Sequence, residues 1–158
     1  HLKKYPSDYI GALRSTPLKI LKLFIHAYQS WLWNETAAKI VHKSQPNSRE
    51  VKYSLGKFVF GEKINDINIP VLGFGTEISD KEIERITESL LEQEHITLRD
   101  FIIPQLPEIS SEGTERSLIS EAKDVTSETG EDRLTLKFTL PKGSYATIFI
   151  KSLINVQL

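Results

Sequence analysis

The feature that most constrains the fold of this chain is an uninterrupted helical stretch near its N-terminus. Thr16 followed by Pro17 is typical of a helix start, with a hydroxyl at the N-cap and proline at the first helical position. No glycine or proline follows before residue 43, so one long helix of about 17–43 is predicted. Its apolar residues recur every three or four positions and form one stripe, made of Ile20, Phe24, Ala27, Trp31, Ala38 and Val41.

Beyond this helix, the pattern changes to short strands and shorter helices. Residues 57–60 and 69–72 are rich in strand-forming residues, and residues 134–140 alternate between apolar and polar side chains. A helix is predicted from a capping box at Ser79 and Glu82 to about residue 94. Residues 1–15 are expected to form a turn-rich lead-in, residues 117–125 a strand, residues 126–132 a turn, and residues 145–154 a helix. This order of elements predicts an α+β fold with mainly antiparallel strands.

Composition excludes several classes of protein. None of the 158 residues is cysteine, so disulfides, thiolate nucleophiles and cysteine-containing zinc sites are ruled out. The four histidines are scattered without metal-ligand spacing, and no apolar run approaches the ~18 residues that cross a bilayer. We therefore expect no metal, no membrane and a cytoplasmic location. Methionine is absent even at position 1, so the chain is expected to be the later part of a longer protein, with a processed N-terminus as the alternative.

The net charge of −1 hides a strong asymmetry along the chain. Residues 1–43 carry seven Lys and Arg against two acidic residues, and residues 133–158 carry four against none. Residues 76–132 carry sixteen acidic residues against five basic ones. Clustered cations favour binding to a polyanion through counterion release, although composition alone favours the plainer interpretation that such runs are solvated faces.

Two segments could carry a specific function. Residues 27–34 read AYQSWLWN, with three large aromatic side chains among amides and a hydroxyl. Residues 140–147 read LPKGSYAT, where a strand ends, glycine permits a sharp turn and Ser144 could cap the next helix. The free amides and Lys142 suit an anion, and the ring of Tyr145 suits stacking on a nucleobase. The plainer interpretations are a packing helix in the first case and a capped turn with a core tyrosine in the second.

Together the two segments resemble motifs of the TruD family of tRNA pseudouridine synthases. Residues 27–34 are similar to the family's AYQS-type helix motif in its archaeal form, and residues 136–147 resemble its C-terminal signature. Residues 113–116, which read GTER, resemble a Gly-Thr-x-Arg turn between them. The resemblance spans residues 13–154. It implies an inserted TRUD-type domain over residues 1–118 and a C-terminal segment, 119–158, that returns to the catalytic core of a pseudouridine synthase.

The resemblance also implies a function and a set of site residues. The family isomerises uridine to pseudouridine in tRNA without a cofactor, so the expected partners are tRNA and the N-terminal half of the same enzyme. Tyr145 matches the aromatic position that contacts the target base, and Lys142, Gly143 and Ser144 occupy the adjoining loop. Contacts to the RNA backbone are expected from Arg116, Lys19 and Lys22.

The catalytic aspartate of the family is expected upstream of this chain. None of Asp8, Asp66, Asp80, Asp100, Asp124 and Asp132 stands in a matching sequence context. The chain alone is therefore expected to be inactive, although the parent protein would be an isomerase. The alternative is a non-catalytic module that binds RNA or another protein.

Overall fold

A computed structural model describes residues 1–153 of the chain. Within that range the helices are α1 (Tyr9–Arg14), α2 (Leu18–Ser44), α3 (Lys81–Gln93) and α4 (Ala146–Leu153). The strands are β1 (Arg49–Tyr53), β2 (Gly56–Phe60), β3 (Asn68–Val71), β4 (Thr114–Ser117), β5 (Lys123–Thr129) and β6 (Leu134–Thr139). Two short 3-10 segments, Leu98–Phe101 and Pro107–Ile109, follow α3. The expected end of the last helix, Ile154, lies outside the described residues.

The strands form three separate antiparallel pairs, β1–β2, β3–β4 and β5–β6. The α+β prediction is confirmed. The prediction of one strand over 117–125 and a turn over 126–132 is wrong, because β4 ends at Ser117 and β5 runs on to Thr129. Every side chain of β5 is exposed, so the strand has no buried face. Its sequence therefore does not alternate between apolar and polar residues, which is the pattern that predicts a half-buried strand. The lead-in over residues 1–15 likewise contains a short helix, α1, which Asp8 caps by accepting from the amide of Gly11.

The long helix is confirmed as α2, but its buried face differs from the predicted stripe. The first half of the stripe is uncovered: Ile20 is 41% exposed, Phe24 is 61% exposed and Ala27 is exposed. Only from Trp31 onward is the stripe covered. The buried residues of α2 are Leu21, Gln29, Leu32, Thr36, Ala37, Ile40 and Val41.

The core lies where α2 meets α3, β3 and the two 3-10 segments. One cluster joins Leu32 to Leu72, Leu90, Leu91 and Phe101. A second joins Ala37, Ile40, Ile69 and Ile83, and a third joins Leu21, Leu106 and Ile109. The first two clusters fix β3 and the loop after it against the middle of α2, and the third packs the second 3-10 segment against the start of that helix.

Two helix starts differ from prediction by one residue. Pro17, not Thr16, stands at the N-cap of α2, and it makes no side-chain cap hydrogen bond. Asp80, not Ser79, caps α3, where its Oδ1 accepts from the amides of Glu82 at 2.8 Å and Ile83 at 3.0 Å. A carboxylate adds attraction to the positive end of the helix dipole, which favours Asp80 over the neighbouring serine.

The C-terminal part packs loosely against the rest of the described chain. No side chain from residue 110 to residue 153 is buried. β5 and β6 form a hairpin, and Phe138 of β6 meets Phe149 of α4 edge to face with ring centroids 4.6 Å apart. At the other end of α4, the guanidinium of Arg49 donates to the carbonyl oxygens of Lys151 and Ser152. This end of α4 is therefore held on the β1–β2 hairpin.

None of the helices within residues 1–153 has the length and apolar content that a bilayer crossing requires.

Candidate nucleic-acid interface

The turn between β6 and α4 presents an aromatic side chain to solvent. Gly143 has φ +92°, a conformation that glycine adopts without strain, and the amide of Ser144 donates to the carbonyl of Pro141 at 3.1 Å. The carbonyl of Tyr145 accepts from the amides of residues 148 and 149, so Tyr145 rather than Ser144 stands at the N-cap of α4. Tyr145 is 61% exposed, so among the described residues it is not part of a core.

Ser144 ties this turn to a distant loop. Its hydroxyl lies 2.5 Å from the hydroxyl of Ser120, which follows β4. That loop is held in turn by Asp66, which accepts from the Ser117 hydroxyl at 2.6 Å and from the Ile119 amide at 3.1 Å. These hydrogen bonds hold the pKa of the Asp66 carboxyl below its usual range. The turn that carries Tyr145 is thus positioned by tertiary contacts as well as by its own sequence.

Of the remaining predicted site residues, Lys142 and Gly143 are exposed in the same turn as Tyr145, and the other three lie on other elements. Arg116 is half-buried on β4, with its guanidinium 5.2 Å from the ring centroid of Trp33. Lys19 and Lys22 are exposed on the first turns of α2. Within residues 1–153 no hydrogen bond or ion pair joins Arg116, Lys19 or Lys22 to the turn, so the structure brings together only residues 142–145.

The aromatic motif of residues 27–34 serves packing. Tyr28 donates to Glu94 Oε2 at 3.0 Å, and burial together with that carboxylate raises the pKa of Tyr28 to about 12. The indole of Trp31 donates to the carbonyl of Leu55 at 3.1 Å, and that of Trp33 donates to the carbonyl of Ile69 at 3.2 Å. Its polar groups thus fix neighbouring loops and strands to α2, as the packing interpretation predicted.

Four aspartates of the described chain are engaged in local structure. Asp8 and Asp80 cap helices, and Asp66 holds the loop after β4. Asp100 accepts from the amide and the hydroxyl of Thr97, and these bonds lower the pKa of its carboxyl. None of these four carboxyls is buried, so none is marked as a shielded nucleophile.

Two residues that position the turn carrying Tyr145 were not predicted from the sequence. Ser120 and Asp66 lie 24 and 51 residues from their partners Ser144 and Ser117. Neither belongs to a motif or a periodic pattern, so only the folded chain places them beside the site.

The chain is thus an α+β protein whose turn at 141–145 presents an exposed aromatic residue between a lysine and the start of a helix. Such a turn is suited to stacking on a flat ring and to binding an anion. The sequence model of tRNA pseudouridine synthase D (TruD) matches residues 1–54 and 54–153. The chain therefore belongs to the TruD family.

Several relatives agree with this assignment. A protein of Methanopyrus kandleri named probable tRNA pseudouridine synthase D is 34% identical over 160 residues, which cover 99% of this chain and 38% of that protein. A protein of the same name from Nanoarchaeum equitans is 36% identical over 146 residues, covering 92% of this chain and 37% of its own length.

A solved structure shares the fold. The crystal structure of tRNA pseudouridine synthase D (TruD) from Methanosarcina mazei superposes with a TM-score of 0.75 at 26% identity. The match covers 99% of this chain and 43% of that one. The chain thus spans about two fifths of the length of the relatives that it matches.

Proposed function

We propose that this chain forms the C-terminal part of an enzyme that isomerises uridine to pseudouridine in tRNA. The observation that carries the proposal is the exposed Tyr145 at the start of α4, in a turn that resembles the family's C-terminal signature and lies within the range that the family model matches. A tRNA-modifying enzyme acts where tRNA is found, so the cytoplasm remains the expected compartment.

The family resemblance implies a reaction without a cofactor, an isomerisation in which substrate and product contain the same atoms. The bond between ribose C1′ and uracil N1 breaks, the uracil turns within the site, and C1′ joins to C5 while the C5 proton moves to N1. The family's catalytic aspartate promotes the bond cleavage. We place that aspartate in the part of the relatives that this chain does not match.

The turn at 141–145 would hold the extruded base. Removing a base from the RNA stack costs a few kcal/mol, and stacking on an aromatic ring recovers ~1–3 kcal/mol. Tyr145 can supply that ring, because most of its surface is free. Lys142 can reach a flanking phosphate, and Arg116, Lys19 and Lys22 can bind the RNA backbone further away.

The division of the chain into residues 1–118 and residues 119–158 belongs to the same proposal. The three core clusters lie within residues 21–109, whereas residues 119–153 contribute no buried side chain. A hairpin and helix without a core of their own are suited to packing on another part of a protein. We assign that role to the N-terminal half of the same enzyme, so that residues 119–158 return to its catalytic core.

The test uses a chimera in which this chain replaces the matching part of the Methanopyrus kandleri protein. Tyr145→Ala should lower pseudouridine formation in a tRNA transcript by about 10-fold or more, since the lost stacking is worth ~1–3 kcal/mol. Tyr145→Phe keeps the ring and should restore most of the rate. Tyr9→Ala is the matched control, because Tyr9 is a similarly exposed tyrosine on α1.

Thermal unfolding of each variant separates loss of function from loss of fold. An active Tyr145→Ala chimera with the wild-type rate would refute the role in base contact. If the chimera does not fold, the same substitutions are made at the aligned positions of the Methanopyrus kandleri protein. The 158-residue chain alone should form no pseudouridine, and robust turnover would refute the placement of the aspartate elsewhere.

A further inference from the structure

The first half of α2 is apolar on two opposite faces. Leu21, Ile25 and Leu32 point into the core, where Leu21 and Leu32 are buried. Ile20, Leu23, Phe24 and Ala27 recur at intervals of three, one and three residues, which places them together on the other side of the helix. All four are exposed, and Leu23 and Phe24 are 58% and 61% exposed. We call these four residues the bare face of α2.

The bare face continues an apolar stripe that is covered further along the same helix. From Trp31 to Val41 the stripe meets the β1–β2 hairpin, where the Trp31 indole donates to the carbonyl of Leu55 and Val41 is buried. The second half of this stripe is covered, whereas its first three residues, Ile20, Phe24 and Ala27, are exposed together with the neighbouring Leu23. The first half of the stripe therefore contributes no hydrophobic stabilisation. Such contiguous exposed apolar residues usually mark an interaction site.

We propose that the bare face is the surface on which the rest of the TruD polypeptide docks, namely the part that the relatives carry beyond the region matched here. The relatives are more than twice as long as this chain, so a folded partner large enough to extend the covered stripe exists in the family. This identification of the partner rests on the proposed function. The bare face itself is a property of the described residues.

The side chains around the bare face indicate the chemistry of the partner. Apart from Lys19 and Lys22, which are proposed above to contact RNA, residues 1–27 hold three basic residues, Lys3, Lys4 and Arg14, against one acidic residue. The occupant should therefore present an apolar face with an acidic rim. Three of the four residues of the bare face are aliphatic, and aliphatic side chains favour burial by protein over stacking on RNA bases.

Single-cysteine labelling can locate the occupant, because the chain has no cysteine of its own. Leu23→Cys is introduced into the 158-residue chain and into the chimera with the Methanopyrus kandleri protein. Leu55→Cys is the control, since Leu55 is 66% exposed in the turn between β1 and β2. The rate of reaction with a thiol reagent is followed by mass spectrometry, which assigns the label to its peptide.

In the isolated chain both cysteines should react at similar rates. In the chimera, Leu23→Cys should react at least about 10-fold more slowly than in the isolated chain, because the docked surfaces must separate before the reagent reaches the thiol. The reaction rate of Leu55→Cys should be the same in both. Equal rates in a chimera that melts cooperatively would overturn the proposal. If the chimera does not melt cooperatively, cysteines at the two aligned positions of the Methanopyrus kandleri protein are compared by the same criterion.

Two further outcomes would identify a different occupant and refute the proposal. Protection of Leu23→Cys that grows with the concentration of the isolated chain would point to a second copy. Protection that appears in the chimera only after tRNA is added would point to RNA. Labelling does not depend on catalysis, so a protected chimera that forms no pseudouridine would refute the proposed function and leave the docking surface standing.

Discussion

Gln29 Nε2 donates to the carbonyl oxygen of Leu72 at 2.6 Å, deep between α2 and the segment that follows β3. The same nitrogen donates to Ser111 Oγ at 2.8 Å. Gln29 is 2% exposed and Leu72 is fully buried, so this amide joins three segments of the chain in a place that water does not reach. The long helix is thereby connected to the two loops that flank the β3–β4 pair.

Gln29→Leu should lower the free energy of unfolding by about 1–3 kcal/mol, because it leaves a buried carbonyl and a hydroxyl without their donor. Urea denaturation followed by circular dichroism measures the change. Gln93→Leu is the matched control, since Gln93 is exposed on α3 and should shift stability by less than about 0.5 kcal/mol. A Gln29→Leu variant as stable as the control would contradict a structural role for this amide.

Gly113 and Gly143 both have positive φ but differ in the space around them. A methyl group at Gly113 would lie 2.8 Å from the Val71 carbonyl oxygen and 3.0 Å from the Gly73 nitrogen. At Gly143 it would meet nothing within 4 Å. Gly143→Ala should therefore lower the free energy of unfolding by about 1–2 kcal/mol, through backbone strain alone. Gly113→Ala should lower it by clearly more, because the added methyl group is also crowded. Equal midpoints of urea denaturation for the two variants would show that the crowding at Gly113 relaxes freely.

Arg49 should control the order of the last helix. Its guanidinium lies 3.2 Å from the Lys151 carbonyl oxygen and also contacts that of Ser152, so it satisfies carbonyls at the negative end of α4. Arg49→Ala should speed hydrogen exchange of α4 amides by about 10-fold or more, since hydrogen bonds to charged groups contribute ~1.5–3 kcal/mol. Exchange measured by mass spectrometry on peptides of residues 146–153 tests this.

Lys52→Ala is the control for that experiment, because Lys52 is an exposed cation on the same strand. It should leave exchange in α4 unchanged. Equal protection of α4 in the two variants would show that Arg49 does not hold the helix.

The sequence predicted those features that depend on local patterns. The long helix α2, the alternating strand β6 and the turn with Gly143 follow from spacing and turn chemistry alone. The buried face of α2 could not be predicted, because its first half is apolar on two sides and only the tertiary fold selects one. The contact between Ser144 and Ser120 could not be predicted either, since no local sequence pattern relates these two residues.

Glu35 should make the stability of the chain depend on pH. Its Oε1 is buried without a hydrogen-bond partner among the described residues, and burial raises the pKa of the carboxyl, with Lys39 partly opposing the shift. The folded state therefore binds the proton more tightly than the unfolded chain. The stabilising effect of this proton is fully present below the ordinary pKa of 4.5 and is lost as pH rises through the folded value.

Glu35→Gln removes the charge and keeps the shape of the side chain. The variant should be more stable than the wild type at pH 7, by less than about 1 kcal/mol because the carboxyl is partly solvated. The advantage should shrink as pH falls through the raised pKa of the folded state, and it should be gone below 4.5, where the wild-type carboxyl is protonated in both states. Thermal unfolding across pH 4–7 measures the difference, with Glu88→Gln on the exposed side of α3 as the control. A Glu35→Gln variant that is less stable than the wild type at pH 7 would mean that the carboxylate has a stabilising partner in solution.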